Sequence, residues 1–178
     1  MKAPEHIETT RLVLRKPTAA DAEGIYGRYA SDTEVTKYLG WPRHRSIEET
    51  KAFLAHSEAA WIRWPAGPYL IESRGDRKLL GGSGFTFEAP TVALTGYVLA
   101  RDAWGRGYAT EALAAVVAVA QRLGVQRLYA LCHPNHQASI HVLEKCGFAL
   151  EDLLPGFLHF PNLGSGERED CLRYVLSA

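Results

Sequence analysis

The chain has 178 residues, 47% of them hydrophobic and 22% charged, which suits one globular domain, residues 1–178, and excludes a disordered or fibrous class. Lys+Arg and Asp+Glu both number 20, so no global basic field favours nucleic acid or an anionic membrane, and any anion site has to be local. The three cysteines, Cys132, Cys146 and Cys171, form no C-x-x-C pair, and the histidines follow no ligand spacing. We therefore expect no disulfide framework, no metal and a reducing, cytoplasmic setting. No signal-peptide pattern opens the sequence and no apolar run reaches membrane-spanning length.

In chain order, Arg11–Lys16 alternates apolar and basic residues and reads as a first strand. Thr18 and Asp21 have capping spacing ahead of a helix carrying Ile25, Tyr26 and Tyr29. Ser46 and Glu49 repeat that spacing before a second helix that runs to about Trp64. From Tyr69 the period shortens to two, and Tyr69–Ser73, Leu79–Phe87 and Val92–Ala100 read as an antiparallel meander. A long alanine-rich helix spans Tyr108–Leu123 and closes at Gly124, followed by a strand at Val125–Cys132. A helix over Asn135–Cys146, capped by Asn135 and ended by Gly147, precedes strands at Phe148–Leu154 and Asp170–Ser177. The order implies an α+β layout: a mixed, mostly antiparallel central sheet flanked by helices on both faces. The loop Pro161–Glu169 is the most mobile-looking segment.

The segment "RDAWGRGYATEAL" carries the chemistry. Two glycines flank Arg106 at a strand-to-helix turn, where free N–H groups and a basic side chain suit a phosphate. The dinucleotide fingerprint fails because Thr110 stands at its third glycine, and no Walker lysine follows. What remains is a pyrophosphate cradle over Gly105–Ala109.

That segment, followed by "NHQASIHVLEKCGF" and preceded by "ETTRLVLRKPTAADAEGIYGRYASDTEVTKYLGW", resembles the GNAT superfamily of N-acetyltransferases, in particular its Rim-type, ribosomal-protein N-terminal branch. The resemblance implies acetyl-coenzyme A (acetyl-CoA) as cosubstrate and a primary amine as acceptor. It places the coenzyme on Trp104, Gly105, Arg106, Gly107, Tyr108, Ala109 and Thr110, with Trp104 departing from the superfamily's Gln/Arg. It further implies a bulged strand around Tyr97–Ala100, with Val98, Leu99 and Ala100 offering main-chain groups to the pantetheine arm, an oxyanion donor near Val98, and Asn135 holding the pantetheine.

The superfamily's common acidic tyrosine is replaced by Leu143, and Ser139, one helical turn earlier, stands where the Rim-type branch carries its serine, so the resemblance implies it as proton donor to the thiolate and a further coenzyme contact. The branch's glutamate base is replaced by Leu94, so Glu88 becomes the expected base, with His133 an alternative. A missing strong base suits an α-amine, as at a peptide or protein N-terminus. The alternatives are a small-molecule amine acceptor and a catalytically silent acetyl-CoA sensor. The segments "YLGWPRHRS" and "FLHFPNLGSG", aromatic and basic, are the expected walls of the acceptor mouth. The oligomeric state is not legible.

Overall fold

The computed structural model describes residues 2–177. Its strands are β1 (His6–Glu8), β2 (Leu12–Arg15), β3 (Tyr69–Ser73), β4 (Leu79–Ala89), β5 (Val92–Leu99), β6 (Arg127–Cys132), β7 (Ala149–His159) and β8 (Arg168–Ser177). They form one sheet in the order β1-β2-β3-β4-β5-β6-β8-β7, antiparallel except for the parallel pair β5/β6. The helices are α1 (Ala22–Ile25), α2 (Thr33–Thr36), α3 (Ile47–Arg63), α4 (Tyr108–Arg122) and α5 (Gln137–Lys145). The expected α+β layout is therefore present, with β1 and α2 as additions that the sequence pattern did not signal.

Strand alternation sends neighbouring side chains to opposite layers. On β3, Leu70 packs with Ile25, Tyr29 and Ala30, while Ile71 joins Leu113, Val116 and Val119 of α4 in the larger core. Helices thus cover both faces, and α4 is apolar nearly all round its inner side because it lies flat on the sheet.

Local capping signals are realised unevenly. At Thr18 both the backbone N–H and Oγ1 donate to Asp21 Oδ2, at 2.7 and 2.9 Å. The helix they start is broken, because a π-helical turn at Tyr26–Ala30 follows α1. Ser46 sits at the N-cap of α3, yet the Glu49 carboxylate accepts from the Arg45 N–H at 2.7 Å, so the expected reciprocal capping box does not form. The last helix begins at Gln137 with His136 at its N-cap, which corrects the expected cap at Asn135.

Candidate functional site

The parallel contact between β5 and β6 is short. Pairing covers only Val92–Leu94 against Arg127–Tyr129, although β5 continues to Leu99 and β6 to Cys132. Beyond Leu94 the two strands diverge, splitting the sheet into a wedge whose walls carry main-chain groups without a ladder partner across the gap. The β4/β5 register runs unbroken from Phe85↔Thr95 to Gly81↔Leu99, with its shift between Phe87 and Ala89. The expected bulge at Tyr97–Ala100 is thus absent from that ladder. What opens the site is the loss of β6 as a neighbour.

Alternation decides which main-chain groups face the wedge. Ala100 N–H donates to Leu80 O at 2.7 Å, toward β4, whereas Thr91 O accepts from Gln126 and Arg127 on the β6 side. Even-numbered residues therefore aim at β4, and Tyr97 and Leu99 aim into the gap. Val98, the expected oxyanion donor, is turned away by this parity. Leu99 O is taken by Trp104 Nε1–H at 2.9 Å, which leaves the Leu99 N–H and both Tyr97 groups on the wedge wall.

At the end of β5 the chain turns through Gly105 and Gly107, whose φ values of 72° and 76° lie in the left-handed region. Glu111 N–H is the first to bond back, to Gly107 O, so the Tyr108, Ala109 and Thr110 N–H groups precede the helical ladder and point out of the start of α4. A Cβ on Gly105 would meet only open space, and Arg106 is exposed. This is the geometry of an anion cradle, and it fits a pyrophosphate.

Across the wedge, the Tyr97 hydroxyl and Ser139 Oγ of α5 are 2.8 Å apart, and Tyr97 Oη donates to Ser139 O at 3.0 Å. Burial pushes the Tyr97 phenol well above the ordinary tyrosine value, and the Ser139 hydrogen bond offsets only part of that rise. The phenol therefore stays protonated across the physiological range. Burial likewise raises the neighbouring Cys132 thiol to about 11, again partly offset by Ser139. A thiol held protonated at neutral pH is a poor nucleophile, which disfavours Cys132 as a covalent acceptor. Leu143, where a tyrosine was absent, is buried in the core.

A family model described as an acetyltransferase (GNAT) domain matches residues 11–149. The chain belongs to the GNAT acetyltransferase family. It is similar to the uncharacterized N-acetyltransferase YoaA of Bacillus subtilis, 34% identical over 161 residues, covering 86% of this chain and 88% of that one. The p20 protein of Bacillus licheniformis is 29% identical, covering 84% and 85%. Among solved structures, a GNAT acetyltransferase from Bacillus anthracis superposes with a TM-score of 0.84 at 25% identity, covering 97% of this chain and 98% of that one. RimL, a ribosomal L7/L12 alpha-N-protein acetyltransferase solved with coenzyme A, shares the fold at a TM-score of 0.84, 24% identity and coverage of 97% and 98%. The protein is an acetyl-CoA-dependent acetyltransferase.

Within this GNAT fold the expected catalytic residues are not all brought together. Glu88 is exposed, sits at the bulge beside the closed end of the wedge, and accepts from the Tyr129 hydroxyl at 2.7 Å. It has no partner of its own in the ladder; the adjoining Phe87 pairs with Ala93, four residues before Tyr97, roughly 13 Å along an extended strand. The structure thus separates Glu88 from Ser139. His133 is equally unsuited to be a base: Nδ1 accepts from Asn135 N–H at 3.1 Å and Nε2 lies 3.0 Å from Glu169 Oε2. Its ring is also sandwiched, 4.8 Å from Tyr38 and 4.9 Å from Phe160. Both nitrogens are engaged in holding loops. Asn135 follows directly in the turn before α5, its N–H spent on His133.

Sequence reasoning named Tyr97 only as the start of the expected bulge and gave its hydroxyl no role, and it missed Arg11. Arg11 Nη1 donates to Arg106 O at 2.8 Å and its guanidinium lies 4.8 Å from the Tyr108 ring centroid, so the residue just before β2 braces the Gly105–Gly107 turn. No alternation rule points from residue 11 to residue 106. Among the described residues no group of three or more His, Cys, Asp or Glu could hold a metal, and no helix is long and apolar enough to cross a membrane.

Proposed function

We propose that this acetyltransferase transfers the acetyl group to an α-amine, at the N-terminus of a peptide or protein, by direct attack with no acetyl-enzyme. The observation that carries the reading is the composition of the wedge at Tyr97 and Ser139: hydroxyls and main-chain donors, with Glu88 and His133 both committed elsewhere. Without a dedicated base, the acceptor has to reach its neutral form nearly unaided. At pH 7 that costs a lysine of pKa ~10.4 about 4.6 kcal/mol, and an α-amine of pKa ~7.8 about 1 kcal/mol. The energetic difference favours the α-amine. The RimL neighbour, described as an alpha-N-protein acetyltransferase, is in keeping with this reading.

Acetyl-CoA, when bound, supplies the thioester carbonyl that the amine attacks. The turn Gly105–Ala109 and Arg106 hold its pyrophosphate, and Tyr97, Leu99 and Asn135 border the path of its arm. The N–H of Leu99 or Tyr97 donates to the carbonyl oxygen as it gains charge. Ser139, oriented by the Tyr97 hydroxyl, delivers a proton to the departing sulfur and recovers one from water, while the amine's spare proton leaves to solvent. Burial of Cys132 keeps its thiol out of the reaction.

The test is thiol release from acetyl-CoA in the presence of peptides with free or blocked N-termini, free lysine side chains, polyamines and aminoglycosides. Turnover with free α-amines and its loss on blocking supports the reading. Equal turnover of peptides blocked at the N-terminus overturns it, and binding without thiol release from any acceptor identifies a sensor.

A further inference from the structure

The two halves of the split sheet are joined again over the open end of the wedge by loops. Residues 37–46, between α2 and α3, belong to the first half, and the β7–β8 connection belongs to the second. Tyr38 and Phe160 meet on His133, and Asn162 makes the main link. Its Oδ1 accepts from Arg43 N–H at 2.8 Å, and its Nδ2 donates to Thr36 O at 2.7 Å and Trp41 O at 2.9 Å.

Beside this latch lies a pocket of about 320 Å³, lined among others by Thr33, Thr36, Pro42, Arg43, Arg45 and Asn162. That volume is at the small end for a ligand site. Its lining contains two arginines and no acidic side chain. Of the nearby carboxylates, Asp32 pairs with Arg101 at 2.7 Å and Glu49 accepts from the Arg45 N–H, while Glu34, beside Thr33, is exposed to solvent. Neither Arg43 nor Arg45 has a carboxylate within salt-bridge distance among the described residues. Arg43 is half-buried, its backbone fixed by Asn162 and its Nη1 donating to Ser31 O at 3.3 Å, which leaves most of its five donors unspent. A guanidinium fixed at both ends of its side chain, with its fork open, suits bidentate binding of an oxyanion.

We propose that this pocket binds an anionic group, carboxylate or phosphate, carried by the acceptor beyond its amine, so that the enzyme selects acidic acceptors. The proposal deepens the acceptor reading given above and rests on acetyl transfer at the wedge. The basic wall segment thereby gains a specific role, with Arg43 and Arg45 holding the acceptor's negative group while the amine reaches past Tyr38 and His133 to the thioester.

The experiment compares acceptors in charge-matched sets: peptides of one N-terminal residue with Asp, phosphoserine, Gln or Lys at positions two to four, and small amines bearing a carboxylate, a phosphate or a neutral amide. Within whichever class is acetylated, the anionic member should be preferred at least about tenfold in kcat/KM, mainly through KM. The preference should shrink as salt rises. It should fall to about threefold or less in Arg43→Gln and in Arg45→Gln, with affinity for coenzyme A unchanged. Arg45 is exposed and supplies the variant that leaves folding undisturbed. The ranking of carboxylate against phosphate identifies the group. Calorimetry of acetylated product peptides on the coenzyme A complex reads the same contrast without turnover.

Equal kcat/KM across the charge series, a preference untouched by both arginine variants, or no binding of the anionic product overturns the pocket. Peptides acetylated regardless of charge remove the pocket and leave the α-amine reading standing. Acetylation confined to small anionic amines does the reverse.

Discussion

Arg11 and Glu111 are joined by two hydrogen bonds, from Arg11 N–H to Oε1 at 2.8 Å and from Nε to Oε2 at 2.7 Å. Thr9 Oγ1 adds a third, at 2.6 Å to Oε1. Glu111 stands in the first turn of α4, so the clamp fastens the start of that helix to the turn between β1 and β2, while Arg11 holds Arg106 O.

Replacing Glu111 with Gln keeps the shape but puts an amide N–H against one set of donors. We expect a loss of about 1–3 kcal/mol in urea unfolding at pH 7. Coenzyme affinity should weaken by about threefold to tenfold in calorimetry, with kcat nearly unchanged. Burial alone would raise the Glu111 carboxyl, but hydrogen bonds from Thr9 and Arg11 and the Arg11 charge hold it below its ordinary value. A depressed carboxyl contributes stability above its unfolded value and loses it as pH falls through the folded one. The wild-type protein should therefore lose part of its advantage over the Gln variant on acidification from pH 7 to below about 4.

Gly107 offers a second test of the cradle. Its φ of 76° disfavours any L side chain, and a Cβ there would lie 3.4 Å from Arg11 Nη2. Gly107→Val should weaken coenzyme binding about tenfold or more, about 1.4 kcal/mol. Unchanged affinity in a folded variant moves the pyrophosphate elsewhere.

The sequence made the secondary elements around the cradle legible because their signals are local: a glycine at each end of α4, period-two strands, a helix of fixed length. The wedge was not legible, since nothing in Thr95–Leu99 or Ala130–Cys132 says that two strands paired at Leu94 part company beyond it. Ser139 was placed correctly on α5, but its partner Tyr97 lies 42 residues earlier. The reach of Glu88 was hidden for a related reason. Period-two reasoning put it on a plausible face, while the bulge at Phe87/Ala89 and its depth along the strand decide what it can reach.

Asn162 sits in the loop that composition marked as mobile, yet its amide makes three hydrogen bonds to the opposite loop. Asn162→Ala strands the Trp41 carbonyl, leaves Thr36 O with the Leu39 N–H alone, and frees the Arg43 backbone. Acceptor KM should rise about threefold to thirtyfold while coenzyme KM stays constant, and stability should fall by about 1–3 kcal/mol. Parallel rises in both KM values would assign Asn162 to the fold as a whole.

Glu88→Gln should leave kcat/KM and its pH profile within about twofold of the parent, because the carboxylate stands at the closed end of the wedge, occupied by Tyr129. Loss of an acidic limb in that profile would restore Glu88 as the base.

The reacting end of the wedge is tested by Tyr97 and Ser139 together. If Ser139 gives its proton to the thiolate, Ser139→Ala should lower kcat about 10²-fold with coenzyme affinity nearly intact. A thiolate of ordinary pKa ~8.5 is a tolerable leaving group and water can protonate it, which sets an upper bound near that figure. Tyr97 acts through Ser139, by orienting its hydroxyl, so Tyr97→Phe should cost less, about tenfold. The two losses should not multiply: the double variant should be no slower than Ser139→Ala alone, because once the serine is gone the phenol has nothing left to position. Multiplicative losses would mean that Tyr97 contacts the sulfur itself. Burial holds the phenol protonated well above neutrality, so the wild-type rate should show no Tyr97 titration below about pH 10, and an alkaline limb under that value has to come from another group.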